Sequence, residues 1–315
     1  MRDEFIATLV SLAEADQRVI LLTADLGFSV LEPFAERFPE RYFNVGVAES
    51  NMVTIATGLA REGMLPFCYS IAAFVTMRCF EAFRDGPVLH DLPVRLVGVG
   101  GGVGYGVSGI THFAIEDLAL MRSSGRVAIY APPTSSACGP ILRSSYLNDG
   151  PVYYRLGKDP IEDPRLDLVS LTNAGYCKLG NHGVAIVTYG RMASAALEAA
   201  QALAERARIA VQCVVISHLS SEVVRAALEP LADCEDIVTL EDHSVSGGIG
   251  SMVAEYLATL PKHPRLHRLG LGSDVWSGLG GSERRVLARN GLAPPEIAEF
   301  VRRLAQGERS LCSSA

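Results

Sequence analysis

No two cysteines in this chain stand at C-x-x-C spacing. The seven present (Cys68, Cys79, Cys138, Cys177, Cys213, Cys234 and Cys312) are odd in number and widely separated, which argues against a disulfide framework or a zinc site and points to buried thiols in a reducing compartment. There is no basic stripe either. The 28 Lys and Arg are scattered and outnumbered by 35 acids, for a formal net charge of −7, so the chain is not built to hold nucleic acid. Long apolar runs are missing: the most apolar stretch, Leu96 to Ile110, is broken by glycines, and Met1 to Ile6 carries charges where a signal peptide has its apolar core. The expectation is a soluble, cytoplasmic protein with no membrane partner. Also absent are a short-period repeat and a low-complexity tract.

What is present is an ordinary globular composition, 49% hydrophobic and 20% charged, in 315 residues. That length comfortably holds two domains, each with its own core. Short β-branched runs (Val19 to Leu22, Val94 to Val97, Val127 to Tyr130) alternate with helical patterns such as Glu49 to Arg61, the signature of parallel βαβ units. The rhythm fails between Leu156 and Gly180, where Pro160 and Pro164 stand among acids. A second series follows, with strands near Val184 to Thr188, Val211 to Ile216 and Ile237 to Leu240 and a helix over Ala193 to Ala204. The expected fold is α/β, two domains each with a mainly parallel sheet flanked by helices: residues 1–160, a linker over 161–180, and residues 181–315.

Ligands of open α/β sheets bind beyond the carboxyl ends of the strands, so three segments carry most interest: Thr23 to Leu26, Gly46 to Glu49, and the glycine-rich run from Gly98 to His112. Phe43 to Met52 is an extended piece that turns at Gly46 into a helix starting near Glu49. From spacing alone, an acid in a first helical turn is a cap that complements the macrodipole. Likewise Asp25 after a strand is a cap for the next helix, Phe74 is a core residue at helical spacing with Met77, and Arg155 is a solvated strand end. The glycine-rich run suggests nucleotide phosphates, but no G-x-G-x-x-G opens a first βα turn, which tells against a nicotinamide-binding fold.

Together these residues resemble the transketolase family. Its pattern F-x-x-G-x-x-E-x-x-M is met by Phe43, Gly46, Glu49 and Met52, and the register continues through Gly58-Leu59-Ala60, Gly63, Pro66-Phe67, Thr111-His112 and Glu116. Val238 to His243 followed by Gly247-Gly248-Ile249-Gly250 resembles the C-terminal domain of the same enzymes. The resemblance spans essentially the whole chain. It implies a pyrimidine-binding domain for thiamine diphosphate followed by a C-terminal domain. Glu49 would share a proton with the aminopyrimidine ring nitrogen, which readies the exocyclic nitrogen to deprotonate the thiazolium carbon. Phe74 would stack on that heterocycle, with Gly46 and Asp25 lining the cofactor cleft, and His112 would stand near the amino group and the reacting substrate, as an imidazole able to give or take a proton. Arg78, Phe80 and Phe83 follow the family's helix only after a one-residue offset and receive no role.

In the glycine-rich run the chain departs from the family. Members acting on phosphorylated sugars carry a histidine where Gly100 stands and an aspartate where Ser108 stands, so two polar contacts to a sugar-like substrate are missing, leaving Ser108, His112 and Arg155 as candidate substrate ligands. The family's G-D-G segment for the diphosphate and Mg²⁺ is also missing; Asp149-Gly150 is followed by Pro151. The resemblance therefore implies an alpha-like partner subunit carrying that domain, in an α2β2 assembly, with this chain as the beta-type half of an enzyme that transfers a two-carbon ketol unit. Two other functions share the fold: the beta subunit of a 2-oxo acid dehydrogenase, and a non-catalytic scaffold.

Overall fold

The computed structural model describes residues 1–180, 183–277 and 280–308. Its first sheet contains β1 (Val19–Thr23), β2 (Tyr42–Asn44), β3 (Leu65–Ile71), β4 (Arg95–Val99), β5 (Ala128–Tyr130) and β6 (Val152–Leu156). They lie in the order β2-β1-β3-β4-β6-β5, every pairing parallel. Strands β1, β4 and β6 are buried at every residue, as a sheet covered by helices on both faces requires. Their largely apolar runs, rather than an alternation, follow from that burial, with Arg95 and Arg155 as buried charged exceptions. Beneath one face, Phe5 of the helix Arg2–Ala15 packs against Phe67 and Tyr69 at ring separations of 6.3 and 6.2 Å.

The second sheet contains β7 (Tyr176–Leu179), β8 (Val184–Tyr189), β9 (Val211–Ile216), β10 (Asp236–Ser244) and β11 (Arg265–Leu271), in the order β11-β10-β8-β9-β7. Only β7 runs antiparallel, against β9. Part of the expected linker is thus regular structure: a helix over Leu168–Asn173, capped by Asp167, leads into β7. Four residues with a lysine among them make too short and too polar a strand to stand out from a linker, and it gains its place by pairing with the edge of the sheet.

The two sheets meet over a continuous junction. Leu219 N donates to Ile129 O at 2.9 Å, Ala131 N to Ser217 O at 2.8 Å and Ser244 N to Ile115 O at 2.8 Å, while the rings of Tyr130 and His218 stack at 4.5 Å. Among the described residues Cys68, Cys79, Cys138, Cys177 and Cys213 are buried free thiols and Cys234 is half-buried; Cys312 lies outside them. Burial pushes the Cys138 and Cys213 thiols up to about 12. No helix among the described residues is long and apolar enough to cross a membrane.

Candidate active site

Because every strand of the first sheet is parallel, the segments leaving β1, β2, β3 and β4 all emerge at one edge, and the direction of strand addition reverses at β1. This is where a crevice forms in an open sheet. Asn44, the last residue of β2, ties the loops together. Its Oδ1 accepts from Asp25 N and Gly46 N, both at 3.0 Å, and its Nδ2 donates to Asp25 Oδ1 at 3.0 Å. Asp25 is held at φ 55° and Gly46 at φ 74°. A side chain at 46 would meet no atom within 4 Å, so glycine is needed there for its left-handed backbone rather than for space.

That turn starts the helix Glu49–Arg61. Glu49 is only 5% exposed despite its charge. Its carboxylate does not serve as a cap for the first turn; Oε1 accepts from Arg78 Nη1 at 2.9 Å. Arg78 ends a π-helical turn, Phe74–Arg78, that leaves β3. Such a turn accommodates one residue more than an α-helical one, and it lies in the segment just before the sequence runs one residue out of register with the family's helix. Phe74 opens the turn, and its ring lies 5.1 Å from the His112 ring at an interplanar angle of 59°. The guanidinium carbon of Arg78 stands 4.1 Å from the centre of the same Phe74 ring. His112 Nδ1 is 2.9 Å from Thr111 Oγ1, and Tyr105 lies 6.2 Å from the imidazole. Glu49, Phe74 and His112 are thus linked through shared contacts, with Asp25 and Gly46 joined to each other beside them. Ser108 is exposed, and its hydrogen bonds run through its backbone, to Tyr105 O at 2.7 Å and from Thr111 Oγ1 at 3.4 Å.

The glycine-rich run is a close-packing device. Gly102 and Ala114 exchange two backbone hydrogen bonds of 2.9 Å, closing the loop between them. A Cβ on Gly102 would overlap Asp242 Oδ2 of the second domain, and one on Gly100 would overlap the Tyr105 ring. Tyr105 therefore fills the space into which a side chain at 100 would project.

Arg155 departs from the role expected of it as a substrate ligand. Its side chain is 4% exposed, and its bonds are directed inward: Nε to Asp117 Oδ2 and Nη1 to Asp242 Oδ1, each at 2.8 Å, and Nη2 to Ala114 O at 3.3 Å and Asp242 O at 3.2 Å. Tyr153 OH adds a 2.7 Å bond to Asp117 Oδ2. Burial on its own would lower the guanidinium pKa, but the two carboxylates raise it well above the ordinary arginine range, so it stays charged. With four of its five N–H donors bonded inside the fold and the side chain 4% exposed, the guanidinium presents no open face to a substrate phosphate.

Sequence reasoning missed Asp117, Asp242 and Asn44 as organisers. It noted Glu241-Asp242-His243 only as part of a resemblance. In the structure all three are fully buried. Glu241 accepts from Ile249 N and Gly250 N at 2.8 and 3.1 Å, capping the helix Ile249–Leu257, and burial pushes its carboxyl up to about 8. Desolvation lowers the His243 pKa, and its Nε2 stands 3.9 Å from Asp117 Oδ1.

The transketolase pyrimidine-binding domain matches residues 1–162, and the transketolase C-terminal domain matches residues 177–277. The chain is 30% identical over 307 residues to a putative transketolase C-terminal section of Methanocaldococcus jannaschii, covering 96% of this chain and 95% of that protein. It is 32% identical over 274 residues to a 6-deoxy-6-sulfo-D-fructose transketolase subunit of Clostridium sp., covering 86% and 84%. Among solved structures, a split-gene transketolase described as an inactive beta4 tetramer superposes with a TM-score of 0.83 at 31% identity, covering 98% of this chain and 99% of that one.

Proposed function

Since the chain belongs to the transketolase family, comprising its pyrimidine-binding and C-terminal domains, we propose that it is the beta-type subunit of a split, thiamine-diphosphate-dependent transketolase that moves a two-carbon ketol unit from a ketose to an aldehyde. The observation that carries this reading is the convergence of a buried carboxylate, an aromatic face and an imidazole at the carboxyl edge of the parallel sheet. That set fits an aminopyrimidine: Phe74 offers a face for stacking, and Glu49 offers a carboxyl oxygen, shielded from water, to hold a proton against a ring nitrogen. When bound, the cofactor supplies the electron sink that carbon–carbon cleavage of a ketose needs.

The residues of this chain then have separate tasks. Glu49 holds a proton at Oε1, His112 gives or takes one at the reacting oxygen, and Asp25 with Gly46, fixed by Asn44, shapes the rim. The diphosphate and its Mg²⁺ are assigned to an alpha-type partner, and each complete site to the interface between the chains of an α2β2 assembly, a common location for ligand clefts. Two kinds of relative support this arrangement: separately named transketolase subunits, and a beta-only tetramer described as inactive. They favour ketol transfer over a 2-oxo acid dehydrogenase. With Arg155 committed to the domain junction, recognition of the distal end of the substrate falls to other groups.

Calorimetry with thiamine diphosphate and Mg²⁺, on the chain alone and then mixed with its alpha-type partner, tests the reading. Tight binding only in the mixture, with turnover of a ketose donor, is the expected result. An absence of binding in the mixture would return the chain to the scaffold reading.

A further inference from the structure

We propose that Arg78 is a resident occupant of the aminopyrimidine seat: its guanidinium covers Phe74 and bonds Glu49 until the cofactor displaces it. The inference rests on the reading of Glu49 and Phe74 given above and goes beyond it, because it concerns a residue that the cofactor must expel.

A guanidinium is flat, cationic and fringed with in-plane donors. It can therefore lie over an aromatic ring while bonding a carboxylate at its edge, and Arg78 does both, at 4.1 Å from the Phe74 ring centre and 2.9 Å from Glu49 Oε1. These are the two contacts that an aminopyrimidine needs. While Arg78 lies over the ring and bonds Oε1, the same ring face and the same oxygen are closed to a second flat group, and the proposal is that the aminopyrimidine uses that face and that oxygen. The main chain at this point is fixed, since the Arg78 carbonyl accepts from Ser50 Oγ at 2.7 Å, on the helix that carries Glu49. The side chain is free by comparison, 52% exposed against 5% for Glu49. Opening thus requires a rotation of the arginine side chain into solvent and no movement of the backbone. In the closed form the arginine also satisfies a buried carboxylate that would otherwise stand alone.

A site that is mostly closed binds more weakly by the fraction of time it is open. One half-exposed ion pair and one cation–π contact together impose a penalty of roughly fivefold to tenfold. Thiamine diphosphate affinity in the assembled enzyme, measured by calorimetry with Mg²⁺ for wild type, Arg78→Ala and Arg78→Lys, decides the matter. Arg78→Ala is expected to bind roughly fivefold to tenfold more tightly. Arg78→Lys, which keeps the charge and loses the flat face, is expected to bind more tightly than wild type as well. If Arg78 instead attracts the diphosphate, Arg78→Ala binds more weakly and Arg78→Lys matches wild type, and the proposal is overturned; unchanged affinity in both variants overturns it equally. Thermal melting confirms that each variant is folded, and should Arg78→Ala fail to fold, Arg78→Lys carries the decision alone. A wild-type assembly that takes up no cofactor would sink the functional reading and this proposal with it, an outcome separable from the others because it does not involve the variants.

Discussion

Two acids, Glu49 and Asp117, both open helices of the first domain, and their surroundings could hardly differ more. Glu49 meets one half-exposed guanidinium at the edge of a crevice. Asp117 meets Tyr153 and Arg155, and all three are enclosed with Asp242 from the second domain. A charge held by few and mobile contacts is available for chemistry, because its partner can be exchanged for a ligand. A charge enclosed on all sides can only hold structure, because any exchange leaves a buried ion behind. The crevice and the junction thus use the same residue types for opposite purposes, and the number and exposure of their partners tells the two apart.

The contrast can be broken first at Glu49. Glu49→Gln in the assembled enzyme is expected to lower turnover by about 10³-fold, the scale of a lost proton-transfer group, while the melting temperature of the chain stays near that of wild type, since the released Arg78 is already half in water. Steady-state kinetics beside a thermal melt would show it. Wild-type turnover in this variant would mean that the crevice has no special claim on the chemistry.

The junction should respond in the opposite sense. Arg155→Met leaves the Asp117 and Asp242 carboxylates buried and unpaired, and an uncompensated charge of that kind costs about 3–5 kcal/mol. Urea denaturation measures the loss, and a change below about 1 kcal/mol, within the range of exposed ion pairs, would show the network to be ornamental. Triple replacement with Asp117→Asn and Asp242→Asn sharpens the point by restoring part of the stability without restoring any ion pair.

The most gradual effect, spread over several pH units, concerns Glu241. Its folded pKa of about 8 lies above the ordinary glutamate value of 4.5, so the folded chain keeps a proton that the unfolded chain releases between those values. The stabilisation is complete below about pH 4.5 and is lost as the pH rises through 8, with a slope of at most about 1.4 kcal/mol per pH unit. Denaturation curves at pH 5, 6 and 7 should show this fall in wild type and a flatter dependence in Glu241→Gln. Equal slopes would indicate that Glu241 is ionised throughout, held by the two N–H groups of its helix.

The crevice residues stood out in the sequence through the family resemblance and not through spacing, which reads Glu49 as a cap and Phe74 as a core residue; they belong to short motifs in the segments that follow strands, whose register can be matched within one stretch of chain. Glu49, Gly46, Phe74 and His112 belong to that class. The junction did not stand out, since its partners lie far apart along the chain. Arg155 and Asp242 are 87 residues apart, and nothing near Arg155 distinguishes an inward-turned strand end from one that faces a ligand. The glycine-rich run was misleading for a related reason: Gly102 is glycine because Asp242 lies against it, a cause invisible to any local reading. Arg78 lay within a recognised segment, yet its pairing with Glu49 depends on a π-helical turn, whose extra residue breaks the 3.6-residue spacing from which helix faces are read.

The Arg155 network also bears on how the protein is made. A ribosome delivers the first domain complete, Arg155 and Asp117 included, well before Asp242 leaves the exit tunnel, and domains emerging first tend to fold first. Until then the guanidinium has only one of its two carboxylates, Gly102 faces empty space, and the backbone groups of Ile129, Ala131 and Ile115 await partners from residues 217–244. The nascent first half is therefore an unfinished domain, completed only when β10 arrives to insert Asp242 beneath the loop that carries His112.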